Sequence, residues 1–249
     1  MSGHSKWSTI KHKKAKTDAV RGKLFSKLIK EITVAAKHGG GDLDSNPRLR
    51  TAVLTAKAAN MPKSNIEQAI KKGTGELPGV NYEEHTYEGY GPGGAALFIE
   101  VLTDNKNRTT AEIRYVLDRR GGNLGTDGCV AWLFERRGLV TIEAENKDED
   151  AVLDDALELG AEDVSREGNI YEIYTAPADV AEIRQGLETK GYTVDESKIS
   201  MIPKTTQKLE RKEAEQMLKL MESLEDHDDV QNVFSNFDIA DDILEEMSA

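Results

Sequence analysis

Cys129 is the only cysteine among 249 residues, which excludes an internal disulfide, fits a reducing compartment and leaves that side chain the part of a small buried hydrophobe. Aromatic residues make up only 6% of the chain, so several small cores are expected in place of one large one. No apolar run reaches the length of a membrane span. The N-terminus is basic but lacks the apolar stretch of a secretion signal, and it is lysine-rich and arginine-poor, unlike a transit peptide. Together these features predict a cytoplasmic protein that makes no membrane contact. The five histidines, His4, His12, His38, His85 and His227, form no H-x-x-x-H or H-E-x-x-H pair, and neither C-x-x-C nor G-x-S-x-G occurs. The expectation is therefore no catalytic residues, no metal and no cofactor, hence no enzyme.

Positive charge is scarce overall and concentrated at one end. The formal net charge is −12, yet residues 1–79 hold 16 Lys+Arg against 6 Asp+Glu, a local net of +10. The remaining 170 residues carry 17 against 39. Such segregation points to a polyphosphate partner for the basic end.

That basic end divides in two. Residues 1–16 contain Trp7, Ile10, two histidines and the cations Lys6, Lys11, Lys13, Lys14 and Lys16. This is too little apolar surface to order a backbone alone, so the segment reads as an arm that is mobile until it meets a partner. From about Asp18, Val20, Leu24, Phe25, Leu28, Ile29, Ile32, Ala35 and Ala36 recur at the spacing of an amphipathic helix. At 100° per residue Lys23, Lys27, Lys30 and Lys37 share the opposite face, which predicts that they meet solvent. Arg21 falls within the apolar stripe, so it either precedes the helix or snorkels. The helix should stop at Gly39-Gly40-Gly41.

Asn46 as cap and Pro47 at the first position open a second helix. Ser64 with Glu67 reads as a capping box for a third, ending at Lys71-Lys72-Gly73. Arg48, Arg50, Lys71 and Lys72 add to the candidate anion-binding set. Residues 74–80 read as a linker. The period then changes to two. Gly89-Tyr90-Gly91-Pro92-Gly93-Gly94 matches G-x-G-x-x-G, but it leads into the run Leu97 to Leu102 where a phosphate cradle would open a helix, so it reads as a hairpin turn. Thr109 with Glu112 reads as another capping box, and Cys129 to Glu135 as a strand.

Residues 138–200 read as strand, helix, strand, strand, helix, strand, a ferredoxin-like βαββαβ order. An RNA-recognition role for this unit is disfavoured, because Ile170-Tyr171-Glu172-Ile173-Tyr174 carries a central glutamate and the unit holds 5 Lys+Arg against 17 Asp+Glu. After Ile202-Pro203 a helix to about Leu224 and a strand near Val230 to Phe234 cannot stand alone, so the tail should pack back on residues 82–135, and residues 238–249 should fray. The fold class expected is α+β: a basic three-helix unit with its arm (1–79), a discontinuous α+β unit (80–137 plus 203–249), and an acidic ferredoxin-like unit (138–202) inserted in it.

Several stretches together resemble one family. Gly3-His4-Ser5-Lys6-Trp7, Arg21-Gly22-Lys23, Asn46-Pro47-Arg48-Leu49-Arg50, Tyr87 through Gly94, Asp104-Asn105 with Asn107-Arg108-Thr109, Gly121 through Thr126, and Ser200-Met201-Ile202-Pro203 occur in order, as in the YebC/PmpR family, which includes the mitochondrial translational activator of cytochrome c oxidase I. Ser2, where the family often has alanine, is a minor departure. The resemblance implies three domains, no enzymatic activity, and a nucleic-acid surface at Lys6, Trp7, His12, Lys13, Lys14, Lys16, Arg21, Lys23 and Arg48. It implies either a cytoplasmic DNA-binding transcriptional regulator or a factor acting on translation at the ribosome and its rRNA. The sequence names no partner for the acidic units. Lysine outnumbers the residues that read base edges, which indicates weak sequence readout.

Overall fold

The computed structural model describes residues 18–145, 147–240 and 242–243, and the architecture is α+β with the helices first. Helix α1 (Asp18–Gly39) lies against α2 (Pro47–Ala58) and α3 (Lys63–Gly73), burying Leu28, Ile32, Ala35 and Ala36 among Leu49, Val53, Ala56, Met61 and Ile66. Arg21 lies within α1 and is exposed. Asn46 ties the first two helices together: its Oδ1 accepts the Leu49 N–H at 3.0 Å while its amide donates to the carbonyls of Ala35 and Gly40, both at 2.9 Å. Gly40, at φ +81°, supplies the left-handed cap. Helices α1 and α3 approach so closely that a Cβ on Gly73 would lie 2.4 Å from the Thr33 carbonyl oxygen.

Both expected capping boxes are corrected. Helix α3 starts one residue before Ser64, behind Pro62, which caps it with no side chain; proline's fixed φ already sets the entry, and its carbonyl accepts from Asn65 N–H at 3.0 Å. Thr109 is not a cap, because α4 (Lys106–Arg119) begins earlier with Asn105 capping Arg108 N–H. Thr109 is fully buried inside the helix.

Strands β1 (Glu83–Tyr90) and β2 (Ala96–Thr103) form an antiparallel hairpin through Gly91-Pro92-Gly93-Gly94, where Gly93 and Gly94 adopt positive φ and Gly91 N–H donates to the Ala95 carbonyl at 2.7 Å. The short β3 (Asn123–Leu124) pairs with β1. From far along the chain, β9 (Val230–Ser235) pairs with β2, placing Phe98 opposite Phe234 and giving the order β3-β1-β2-β9. One face of this sheet is covered by α4 and α7 (Arg211–Glu225), with Leu97, Ile99, Val101, Ile113, Leu117, Met217 and Leu220 in its core. On the other face Phe98, Phe134, Phe234 and Val130 cluster.

The strand expected over Cys129 to Glu135 is instead a turn, a one-turn helix at Ala131–Leu133, and the start of β4 (Phe134–Glu143). The cause is Glu88. Its buried carboxylate accepts backbone N–H bonds from Gly128, Val130 and Ala131, each at 2.7 Å, so those amides cannot join a ladder. Burial pushes the Glu88 carboxyl up, but the three N–H donors outweigh it and hold it below its ordinary value. Cys129 is partly exposed, not the buried hydrophobe expected.

Strand β4 pairs with β7 (Val194–Pro203) from Phe134↔Pro203 to Ile142↔Val194. The ribbon continues from the phenylalanine cluster into a second sheet of order β5-β6-β4-β7, all antiparallel, with β5 at Asp163–Glu167 and β6 at Ile170–Thr175. Helices α5 (Glu149–Glu158) and α6 (Val180–Thr189) complete the ferredoxin-like order, over a core of Val140, Ile142, Tyr171, Ile173, Ile183 and Leu187. Glu172, the glutamate central to β6, is buried and accepts the Tyr174 hydroxyl at 2.5 Å. At the tail the fraying expected from residue 238 is corrected for its first residues: β10 (Phe237–Asp238) pairs in parallel with β8 (Gln207–Lys208), and Phe237 and Ile239 are fully buried.

Replacing Glu88 with glutamine, which keeps one acceptor oxygen and turns an NH₂ toward the remaining backbone N–H donors of the three, is expected to cost about 1 to 3 kcal/mol and to change the near-UV circular dichroism of neighbouring Trp132. An unchanged melt and spectrum would show that Glu88 does not hold this turn.

Candidate nucleic-acid interface

The lysine face of α1 does not meet solvent as a row. Lys23 lies 3.2 Å from Asp226. Lys27 donates to the Glu225 carbonyl at 2.6 Å, and Lys30 to the Asp228 carbonyl at 2.9 Å and Asp229 Oδ1 at 2.6 Å. Lys37 donates to Asn81 Oδ1 at 2.5 Å. The expectation that Lys27 is solvent-facing is thus corrected, while Lys23 is exposed as expected but ion-paired: the partner is the C-terminal end of α7, where helix carbonyls and four acidic residues present negative charge to the cations. No local pattern could have disclosed this, because Lys30 and Asp229 are 199 positions apart.

Asp229 is the centre of this contact. It is only 4% exposed. Beyond Lys30, its Oδ2 accepts from Thr109 Oγ1 at 2.7 Å, Arg108 at 2.8 Å and Thr103 Oγ1 at 3.1 Å. Burial alone would raise its pKa; Lys30, Thr109 and Arg108 outweigh burial and hold the carboxyl well below the usual carboxylate range. The Arg108 guanidinium is shifted up in turn by its bonds to Asp229 and Asp104. Lys30 also sits 5.6 Å from the centre of the Tyr82 ring, and a cleft of about 630 Å³ opens beside these groups, bordered by Lys23, Tyr82, Glu112 and Asp226.

Glu112, His227 and Asp229 come close enough to suggest a cation site. Their lone pairs are already committed. His227 Nδ1 accepts the Asp229 N–H at 3.1 Å, which puts the ring proton on Nε2, 3.0 Å from Glu112, and both Asp229 oxygens face protein cations. The geometry builds a junction between α1, α4 and the start of β9, not a ligand set for a metal.

Among the other sequence candidates, Arg48 pairs with Glu31, Nε to Oε1 at 2.7 Å, and with Glu84. The pair with Glu31, opposed by burial and aided by Glu84, pushes the guanidinium's pKa up. Arg21, Arg50, Lys71 and Lys72 are exposed and enter no ion pair among the described residues. Lys6, Trp7, Lys11, His12, Lys13, Lys14 and Lys16 lie outside the described residues. Of the fifteen positions singled out in the sequence, the structure therefore gathers Lys23, Lys27 and Lys30 into one internal contact, commits Arg48 to another, and leaves four open. Asp229, Arg108 and Thr109 were missed as a group; the acidic run Asp226-His227-Asp228-Asp229 after an amphipathic helix was the available signal.

Comparison with known proteins matches residues 5–76 to the model of the TACO1/YebC protein N-terminal domain and residues 82–237 to that of the TACO1/YebC second and third domain. The chain belongs to the TACO1/YebC family. It is 60% identical over 247 residues to a probable transcriptional regulatory protein of Desulforapulum autotrophicum, covering 99% of this chain and all of that one. It is 57% identical over 249 residues to one of the same description from Dictyoglomus turgidum, covering both completely. The crystal structure of a conserved hypothetical protein from Aquifex aeolicus shares 49% identity and superimposes with a TM-score of 0.81, covering 91% of this chain and 94% of the other.

Asparagine in place of Asp229 would leave Lys30 buried without its counter-charge, and it is expected to lower stability by about 3 kcal/mol or more. Because the folded carboxyl is held below its unfolded value, its contribution is present above about pH 4 and fades as pH falls further. The difference in melting temperature between parent and Asp229→Asn should accordingly stay constant from about pH 7 to about pH 5. A difference that vanishes within that window would contradict the assignment.

Proposed function

We propose that this TACO1/YebC-family chain is a non-enzymatic, cytoplasmic, nucleic-acid-binding regulator of gene expression. Its contact surface is residues 1–16, with Lys6, Trp7, Lys11, His12, Lys13, Lys14 and Lys16, extended by Arg21, Arg50, Lys71 and Lys72. The observation that carries this reading is the partition of cations: once Lys23, Lys27, Lys30 and Arg48 are matched by carboxylates and carbonyls, the arm and these four open side chains still leave the N-terminal unit cationic on an otherwise acidic chain. The relatives described as probable transcriptional regulatory proteins support a regulatory role. The organisation proposed with it is the three-unit one, 1–79, 80–137 plus 203–249, and 138–202.

Whether the polymer is DNA or rRNA is a second question, and the residue types favour recognition of the sugar–phosphate backbone over base edges, because lysine dominates the set. That leaves a ribosome-bound translation factor as the alternative. Sequencing the nucleic acid crosslinked to the chain in cells separates them, since promoters and rRNA give different maps.

Deletion of residues 1–16 is expected to remove most nucleic-acid affinity while leaving the melting temperature nearly unchanged, because the segment offers almost no apolar surface. In the full chain, Arg50→Glu, Lys71→Glu and Lys72→Glu together should flatten the dependence of log affinity on log salt by about 2 to 3, again without a change in melting. Lys30→Glu should instead lower the melting temperature. Binding that ignores both the deletion and the triple substitution would overturn the proposal.

A further inference from the structure

The acidic remainder has a cationic patch of its own. Along α4 and the residue after it stand Lys106, Arg108, Arg114, Arg119 and Arg120 against Glu112 and Asp118, in a stretch of chain that is otherwise strongly negative. The buried side of the helix is fixed by Thr109, Ile113 and Leu117, and the Arg108 and Glu112 side chains turn toward the Asp229 junction. On the outer side Tyr115 is 61% exposed, a large fraction for an aromatic ring that a core could have used. Arg119, one turn on, donates to the Tyr115 hydroxyl at 3.1 Å and lies 5.6 Å from the ring centre. Arg114 and Arg120 are exposed and enter no ion pair among the described residues.

We infer that the outer face of α4 is a second nucleic-acid contact, which takes an unstacked base of a single strand on Tyr115 and its phosphates on Arg114, Arg119 and Arg120. The inference rests on the nucleic-acid reading above and deepens it. A rigid helix presents the ring, the i,i+4 arginine fixes its orientation, and a guanidinium beside a π-face is the arrangement on which bases stack without sequence preference. Charge complementarity selects a polyanion, and the free aromatic face selects one whose bases are not already stacked in a duplex. Asp118, exposed as well, would weaken the attraction, and the three arginines outnumber it.

The test uses the full chain and labelled oligo-uridine, oligo-thymidine and a blunt DNA duplex, read by anisotropy with a melt alongside. Tyr115→Ala is expected to weaken single-strand binding about tenfold, to affect the duplex far less, and to leave melting unchanged; Tyr115→Phe should keep most of the affinity. Arg114→Ala with Arg120→Ala should reduce the single-strand salt slope by about 1.4. A parent chain that binds single strands as tightly as its Tyr115→Ala variant overturns this site and leaves the arm proposal standing, while a parent that binds no nucleic acid overturns both. Tyr115→p-benzoylphenylalanine in cells should crosslink to nucleic acid. Crosslinks to protein alone would overturn the inference in favour of a protein-binding face.

Discussion

A single carboxylate, Asp229, fixes how the helical unit sits on the rest of the chain. It stands immediately before β9, receives Lys30 from α1 and Arg108, Thr109 and Thr103 from α4 and β2, and so joins segments from three distant parts of the sequence. Burying a charge is costly unless it is paired and fully hydrogen-bonded. Here two cations and two hydroxyls meet that condition, and the depressed carboxyl pKa follows from the same contacts. A junction of this kind specifies orientation more than it adds stability, because only one arrangement satisfies every donor. The surrounding contacts of Lys23 and Lys27 with the end of α7 extend it along two further turns of α1.

This junction changes the meaning of the charge segregation. A basic face on an amphipathic helix suits a polyanion, and it equally suits an acidic helix end of the same chain. The acidic residues of the C-terminal segment act in part as the counter-charge to α1. The cations without such ion pairs among the described residues are those that can act on a partner: Arg50 on the outer side of α2, Lys71 and Lys72 at the end of α3, and Arg114 and Arg120 on and just after α4. They lie on different elements, so the binding surface proposed above is distributed and not confined to one helix.

Legibility in the sequence tracks the range of the interactions involved. The cap Asn46 with Pro47, the glycine stop after α1, the hairpin at Gly91 to Gly94 and the order of elements in the ferredoxin-like unit depend on residues a few positions apart, and local rules found them. The two capping boxes failed for a different reason: Ser64 and Thr109 fit the pattern, but Pro62 and Asn105 stood earlier in the chain and started the helices first. Cys129 to Glu135 has strand composition, and what prevents a strand is a carboxylate some forty residues away. The lysine face of α1 was visible as a face; what covers it lies 199 positions downstream, where no periodicity reaches.

Ionic strength distinguishes the two uses of positive charge in this molecule. Lys30 and Asp229 are shielded from solvent, their side chains 12% and 5% exposed, and salt screens such a pair weakly. The Lys23 and Asp226 pair is half-exposed and contributes little at any salt concentration. Contacts between exposed cations and phosphates depend instead on counterion release, so their affinity falls steeply as salt rises. If the chain binds nucleic acid as proposed, raising salt should therefore strip it off well before the junction loosens, so a loss of binding in moderate salt reports on the open cations and not on the fold. The same reasoning removes an objection to the proposed binding by a chain with a strongly acidic body: part of the negative charge nearest the basic unit is paired by Lys23 and Lys30 of α1, and the charge farther away is screened beyond about 8 to 10 Å.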